Sequence, residues 1–352
     1  MNLQCGILFV GTGVSSSVPI LNHAFNSENY KCICSCVGRK EISSDVAKNI
    51  RNNVSILVRI PGEKGTNHGD CYNVLVDVGK TFREAALSVF PSYNISRIDS
   101  VILTHFHDDA VGGFSSILSF QQKEASLVPI YLNVETLEIV NKRHSRMISR
   151  YALDDGLSDS GDYSRRYELN VLDIYNGKIE QCSNSKDLSN ILGNFRRESK
   201  SSPNTSFRNI EYYINSVKIT AFPMSHGHCI CMGYCFHFED HNVIYISDYT
   251  FPMLSSSIEF FNSIKGTKRS TLILDSISYD RISNAHANIS QSLEFIQDFS
   301  PEYVYFVGMA CTVEHKETNE RLKNELINLK KEGKCINTIS MELAYDGLFL
   351  PI

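Results

Sequence analysis

The sequence predicts an α/β protein in which two sheets are covered by helices and a site lies along the edge where strand ends meet. Each half of the chain runs through two or three strand-like segments and then into strand–helix units. In both halves the strand-like runs stop at His or Asp. No low-complexity linker or short-period repeat divides the 352 residues, so a single domain is expected.

An apolar content of 42% in a chain of this length can build a substantial core. A net charge of −5 gives no sign of a broad electrostatic grip on nucleic acid or an anionic membrane. It leaves room for a small local site that takes a phosphate ester. Near the N-terminus the one uninterrupted apolar run is 7–10, too short for a signal sequence or a spanning helix. Eleven cysteines without such a signal point to reduced thiols and a cytoplasmic protein. Cys229, Cys231 and Cys235 alternate along one strand-like run and read as buried side chains.

In chain order, 5–10 reads as a strand that ends in a loop of two glycines and three serines, 11–19. The loop is not a dinucleotide fingerprint, because no third glycine opens an amphipathic helix. Cys32, Cys34 and Cys36 follow in a polar loop. Three thiols so close can hold a structural zinc with a fourth ligand from elsewhere, although one-residue spacing is tighter than the usual two to four. Residues 54–60 and 72–78 form a hairpin pattern with a long tip over 62–69. The period of 81–90 is helical, 101–103 is a strand, 111–120 an amphipathic helix and 128–132 a strand. From 141 to 209 the chain turns polar and is expected to be an insertion with some structure and some disorder. Strands then recur at 217–222, 232–238, 243–247, 271–274 and 304–307, with helices at 289–299 and 317–331.

The most informative stretch is 100–113, Ser-Val-Ile-Leu-Thr-His-Phe-His-Asp-Asp-Ala-Val-Gly-Gly. An aliphatic run stops at His105 and His107, and Asp109 follows two residues on. If the backbone turns there, three ligand atoms meet at one point, and imidazole with carboxylate suits Zn²⁺, Mn²⁺ or Fe²⁺. The plainer reading is a polar turn in which Asp108 or Asp109 caps the next helix. His226, Asp248 and His286 also sit at the ends of strand-like runs or ahead of a helix. A lone histidine in such a place is ordinarily a satisfied core or surface residue. Six such residues at the ends of separate elements favour a metal site.

These motifs resemble the metallo-β-lactamase superfamily, in its phosphodiesterase branch of PhnP-like cyclic phosphodiesterases, eukaryotic metal-dependent hydrolases and, more distantly, tRNase Z. The likeness runs nearly end to end. It rests on Gly11-Thr12-Gly13 with Val18-Pro19, on 53–59, on Asp77-Val78-Gly79-Lys80-Thr81-Phe82, on Tyr245-Ile246-Ser247-Asp248 and on Ala344-Tyr345-Asp346-Gly347, besides 100–113. It implies a four-layer αββα sandwich with a polar insertion at 141–209 and one or two divalent ions, Zn²⁺ or Mn²⁺, per chain. Carried over, His105, His107 and His226 hold the first metal, Asp109 and His286 the second, and Asp248 bridges them. A hydroxide between the metals then attacks phosphorus in line, so Asp109 counts among the catalytic residues.

The chain departs from the superfamily pattern at several places. The His that follows the motif's Asp is Ala110 here, which leaves the second metal with Asp109, Asp248 and His286. Ser17 and Ser283 replace a family Gly and His, and Cys311 stands where relatives often have His. His315 matches a later family His and is the candidate for protonating the leaving oxygen, or else a helix-cap residue beside Glu314 and Lys316. The expected function is therefore a metal-dependent phosphodiesterase for a small or cyclic phosphodiester. The alternatives are an RNA-processing nuclease of the same fold and a catalytically impaired metal-binding or interaction protein. RNA is not favoured, because no basic arm is identifiable. No membrane partner is expected, and a homodimer is the assembly considered.

Overall fold

The computed structural model describes residues 5–26, 32–36, 43–62, 71–120, 128–146, 148, 167–201 and 207–352. The first half contains β1 (Gly6–Gly11), β2 (Ser55–Pro61), β3 (Cys71–Val76), β4 (Ser100–Leu103), β5 (Val128–Asn133), β6 (Tyr167–Asp173) and β7 (Lys178–Cys182). The second half contains β8 (Ile210–Ile214), β9 (Val217–His226), β10 (Cys229–His237), β11 (His241–Ile246), β12 (Arg269–Asp275), β13 (Tyr303–Val307), β14 (Ser340–Leu343) and β15 (Phe349–Pro351). One sheet has the order β15-β1-β2-β3-β4-β5-β6-β7 and the other β14-β13-β12-β11-β10-β9-β8. In each half an antiparallel meander leads into three consecutive parallel pairings, β3–β4–β5–β6 and β11–β12–β13–β14.

Side-chain alternation along the strands produces the layers. Ile7, Phe9, Ile56, Val58, Val74, Val76 and Ile102 point into the space between the sheets and meet Ile219, Met232, Tyr234 and Tyr245 there. Leu8, Leu57, Leu75, Val101 and Leu103 point the other way, under helices of the first half. Ile244, Ile246, Leu272 and Leu274 do the same in the second half. The result is four layers, helix–sheet–sheet–helix.

The outer helices are amphipathic for this reason. In the first half α1 (Leu21–Phe25) and α2 (Ser44–Ala47) are short and bury nothing, whereas α3 (Phe82–Val89) buries Phe82, Ala85, Ala86 and Val89. Next come α4 (Asp108–Val111), α5 (Val134–Arg143) and α6 (Ser185–Ser201). The second half adds α7 (Ser255–Ile264), α8 (Ile289–Phe299) and α9 (His315–Lys331). Asn288 and Gln291 form a capping box that starts α8, whose Leu293 and Ile296 reach the core. Truncating Ile296 to Ala would cost about 2–5 kcal/mol.

One expectation from the sequence is revised. The helix expected over 111–120 is instead the four-residue α4 followed, after Gly112-Gly113, by a 3₁₀ segment at Phe114–Phe120. Close packing explains the break: a Cβ at Gly113 would lie 2.4 Å from the Gly79 carbonyl oxygen. Within 141–209, β6 and β7 extend the first sheet, and Leu169, Val171, Leu188, Ile191 and Leu192 belong to its core. The polar stretch at 154–166 and the hairpin tip from 63 onward lie outside the described residues. Among those described, no helix is long and apolar enough to cross a membrane.

Candidate metal centre

The ends of the parallel strands and of the β9–β10 hairpin open on one edge of the sandwich, where such folds place their sites. Asp77, just beyond β3 at φ 64°, anchors the first-half loop. Its buried carboxylate accepts the Thr104 backbone N–H at 2.8 Å and the Thr104 hydroxyl at 2.9 Å. Burial pushes Asp77 well above the usual carboxylate range. Val78 N donates to the Ala110 carbonyl and Lys80 N to the Asp108 carbonyl, which fastens α4 to the β3–α3 turn. Gly79 is required there, because a Cβ would fall 2.1 Å from the Asp109 carbonyl oxygen.

Three second-half loops face this one, and each is tied to the next. Thr250 N donates to the Ser225 carbonyl, Gly227 N to the Thr250 hydroxyl, and Ala287 N to the Tyr249 carbonyl. They deliver His226 from the end of β9, Asp248 from beyond β11 and His286 from before α8. Ser247 Oγ donates to Thr104 Oγ1 at 3.1 Å, linking the two halves directly.

The six expected ligands converge. His105, His107 and His226 place their donor atoms within 4.8 Å of one another, and so do His226, Asp248 and His286. His226 Nε2 lies 3.2 Å from His107 Nδ1. Asp248 presents Oδ2 toward His105 Nε2 at 3.8 Å and Oδ1 toward His286 Nδ1 at 3.2 Å. Asp109 Oδ1 is 3.7 Å from His105 Nε2, and Asp109 Oδ2 accepts from the Ser15 hydroxyl. Asp248 thus stands between the two ends of the cluster, one oxygen toward each.

Neighbouring groups set the tautomers. His226 Nδ1–H donates to the Ala285 carbonyl at 2.7 Å, leaving a lone pair on Nε2. Thr104 gives its own proton to Asp77, so it accepts from His105 Nδ1–H at 2.9 Å, and His105 Nε2 faces the cluster. Burial drives His105 down to about 3 and lowers His107, so both are neutral imidazoles at pH 7. His286 is half-buried, which opposes its charge, but its Nδ1–H donates to Asp275 at 2.9 Å, and Asp275 and Asp248 raise it to about 9. Among the described residues, His105 Nε2 and Asp109 Oδ1 are buried and meet no hydrogen-bond partner. Such atoms are costly to bury bare, and a divalent cation would satisfy both. The residues fit an ion.

Asp275 belongs to this set although the sequence reading did not place it there. Its strand-end position matches that of Asp248, and this was the available signal. Its carboxylate needs Gly308, where a Cβ would come within 2.0 Å of Asp275 Oδ1. Cys231 also lies near, 3.8 Å from His105 Nδ1, but behind the ring. Burial raises its thiol, which keeps it protonated. Ala110, at the position of the usual histidine, is 1% exposed and packs in the first-half core. Asp108 points outward and pairs with Arg143.

His315 is placed differently. It is buried at the start of α9, where its Nε2 accepts from Asn319 Nδ2 at 3.1 Å and its ring meets Tyr345 edge-on. Burial, then Arg51 and Lys48, lower it to about 4, so at pH 7 it is a neutral imidazole. Cys32 and Cys34 sit in a separate cluster with His23 and Cys311, while the Cys36 side chain lies outside the described residues.

No family model matches the sequence, and no curated protein matches it either. Solved structures do. A diphosphatase of the PhnP family superposes with a TM-score of 0.64 at 19% identity, covering 99% of this chain and 98% of that one. Zinc-bound PqqB from Methylobacterium extorquens gives 0.58 at 12% identity over 98% and 99% of the two chains. The metallo-β-lactamase fold protein YhfI from Bacillus subtilis gives 0.52 at 13% identity over 99% of both. The chain has the metallo-β-lactamase fold, as its motifs led us to expect.

Proposed function

We propose that the protein is a metal-dependent hydrolase of a small or cyclic phosphodiester. One observation carries this reading: three imidazoles and Asp248 converge where, among the described residues, His105 Nε2 and Asp109 Oδ1 are buried without hydrogen-bond partners. His105, His107 and His226 would hold one divalent ion and Asp109, Asp248 and His286 a second, with Asp248 between them. Such ions lower the pKa of water toward neutrality and take up charge on phosphoryl oxygens. The chain's own part is positional. Asp77 and Thr104 orient His105, Ala285 orients His226, Asp275 orients His286 and Ser15 orients Asp109. The fold is shared with a PhnP-family diphosphatase and with the short form of human tRNase Z. Net charge −5 favours a small substrate over RNA.

Reconstitution with Mn²⁺ or Zn²⁺ and assay on bis(p-nitrophenyl) phosphate tests the proposal. We expect metal-dependent turnover in the parent and a loss of at least about 100-fold in His226→Ala, together with lower metal content. Full activity in that variant would refute the assignment.

A further inference from the structure

The edge of the sandwich opposite the metal centre carries a pair of thiols. β1 and β3 both run antiparallel to β2, so both start at that edge. They finish on the metal side, where Ser15 meets Asp109 and Asp77 holds Thr104. Cys5 immediately precedes β1, and Cys71 is the first residue of β3. Gly6 pairs with Arg59 and Cys71 with Pro61, so the two cysteines flank the same end of β2. Their sulfurs meet at 3.7 Å, a van der Waals contact between residues 66 positions apart. Both are free thiols.

The two thiols differ in access. Cys71 is 4% exposed, and its carbonyl accepts an Arg97 Nη2–H at 3.1 Å. Cys5 is half-buried, and its carbonyl accepts the Ile352 N–H at 3.3 Å. A small oxidant therefore reaches Cys5 first and finds Cys71 directly behind it. A disulfide holds its sulfurs at about 2.05 Å, so these must close by roughly 1.7 Å, which side-chain rotation at the strand ends can supply. We propose that Cys5 and Cys71 are a redox-modification site, at which a hydroperoxide produces a disulfide that staples β1 to β3 across β2. With hydrogen peroxide, the Cys5 thiolate attacks one oxygen, the O–O bond breaks, and Cys5 becomes a sulfenic acid as the first water leaves. The Cys71 thiolate then attacks the Cys5 sulfur; the S–S bond forms, the S–O bond breaks and a second water leaves. The pair loses two electrons and both thiol protons, and one peroxide becomes two waters. The bond closes β1, the Ser15 loop and β2 into one ring, which restricts the unfolded chain. A small thiol reverses it by exchange.

The test uses the full-length protein, reduced, freed of reductant, treated with hydrogen peroxide and digested with trypsin without reduction. Residues 1–31 and 65–80 are separate tryptic peptides with one cysteine each, Cys5 and Cys71, so the assignment is unambiguous. We expect these peptides to be joined, two hydrogens lighter than their sum, and separated by dithiothreitol. Oxidised parent should also melt about 5 °C above equally treated Cys5→Ser, and dithiothreitol should abolish the difference. Cys5 oxidised to an acid without the cross-link, Cys5 joined to another cysteine, or an equal yield from urea-unfolded protein would each overturn the site. A cross-link without the melting difference would overturn the staple. Neither readout depends on bound metal or on phosphodiester hydrolysis.

Discussion

Three of the clustered side chains come from residues 105–109 in the first half, whereas the second half draws its three from positions spread between 226 and 286. The first-half loop is held by its neighbour turn: Asp77 grips Thr104, and the β3–α3 backbone grips α4. The second-half loops hold one another through Thr250, Ala285 and Tyr249. A compact motif braced by one turn should fail abruptly when that turn is disturbed. A distributed set braced by several cross-links should fail by degrees.

The largest effect is expected from Gly79→Ala, which drives a Cβ against the Asp109 carbonyl. Overpacking against backbone should cost about 1–3 kcal/mol. Displacement of α4 should lower diester turnover on the order of 100-fold, well beyond the loss of stability. Thermal melting read beside the hydrolysis assay separates the two. If Gly79→Ala is as active as the parent, the first-half motif is more compliant than its packing indicates.

A smaller effect is expected at the seam between the halves. Asp346 accepts hydrogen bonds from Thr12 Oγ1, Asn52 N and Asn52 Nδ2 at 2.8–2.9 Å, joining the end of the second half to the opening loop. Burial, partly offset by these donors and by Arg51, raises Asp346 to about 6. The folded protein therefore keeps a proton that the unfolded chain, titrating near 3.8, gives up. This contribution to stability is present below pH 4 and is lost as pH rises toward 6. Asp346→Asn lacks the titration, so between pH 4 and 6 its stability relative to the parent should shift in its favour by about 2–3 kcal/mol. Urea unfolding across that range checks it, and a flat difference would remove Asp346 as the seam's titrating group.

The smallest effect is expected at Arg143, which caps the far side of the first-half loop through exposed Asp108 and the Phe106 carbonyl. Arg143→Ala should change stability by no more than about 1 kcal/mol. It should raise KM for an anionic diester by about two- to fivefold and leave kcat in place, with an effect that shrinks as salt increases. A fall in kcat instead would mean that the pair positions His107.

The same contrast explains what could be read from the sequence. His105, His107 and Asp109 are legible because one strand end and one turn bring them together, so their spacing alone carries the geometry. His226, Asp248 and His286 are legible only as polar residues that close apolar runs, and the reading needed the motifs around them. The layers follow from strand alternation and helical period. Asp275 was missed because its place depends on Gly308, which is distant in sequence and close in space. Cys311 and His23 were not joined to Cys32 and Cys34 for a similar reason, since no local period links α1 to the β13–α9 loop. The helix expected at 111–120 failed where Gly113 must pass against the Gly79 carbonyl, a tertiary constraint that hydrophobic period cannot register.

The pairing of β1 with β15 has a consequence for biosynthesis. β1 reads Gly-Ile-Leu-Phe-Val-Gly and is buried throughout; one flank takes β2, and among the described residues the other is covered by β15 and residues 347–348. In N-to-C synthesis that flank waits for nearly the entire chain, on the order of 20–70 s at 5–20 residues per second. During this interval an apolar strand offers an unpaired edge to any neighbouring chain. Yield in the cell should therefore depend on translation speed and chaperone supply more than equilibrium stability alone would suggest.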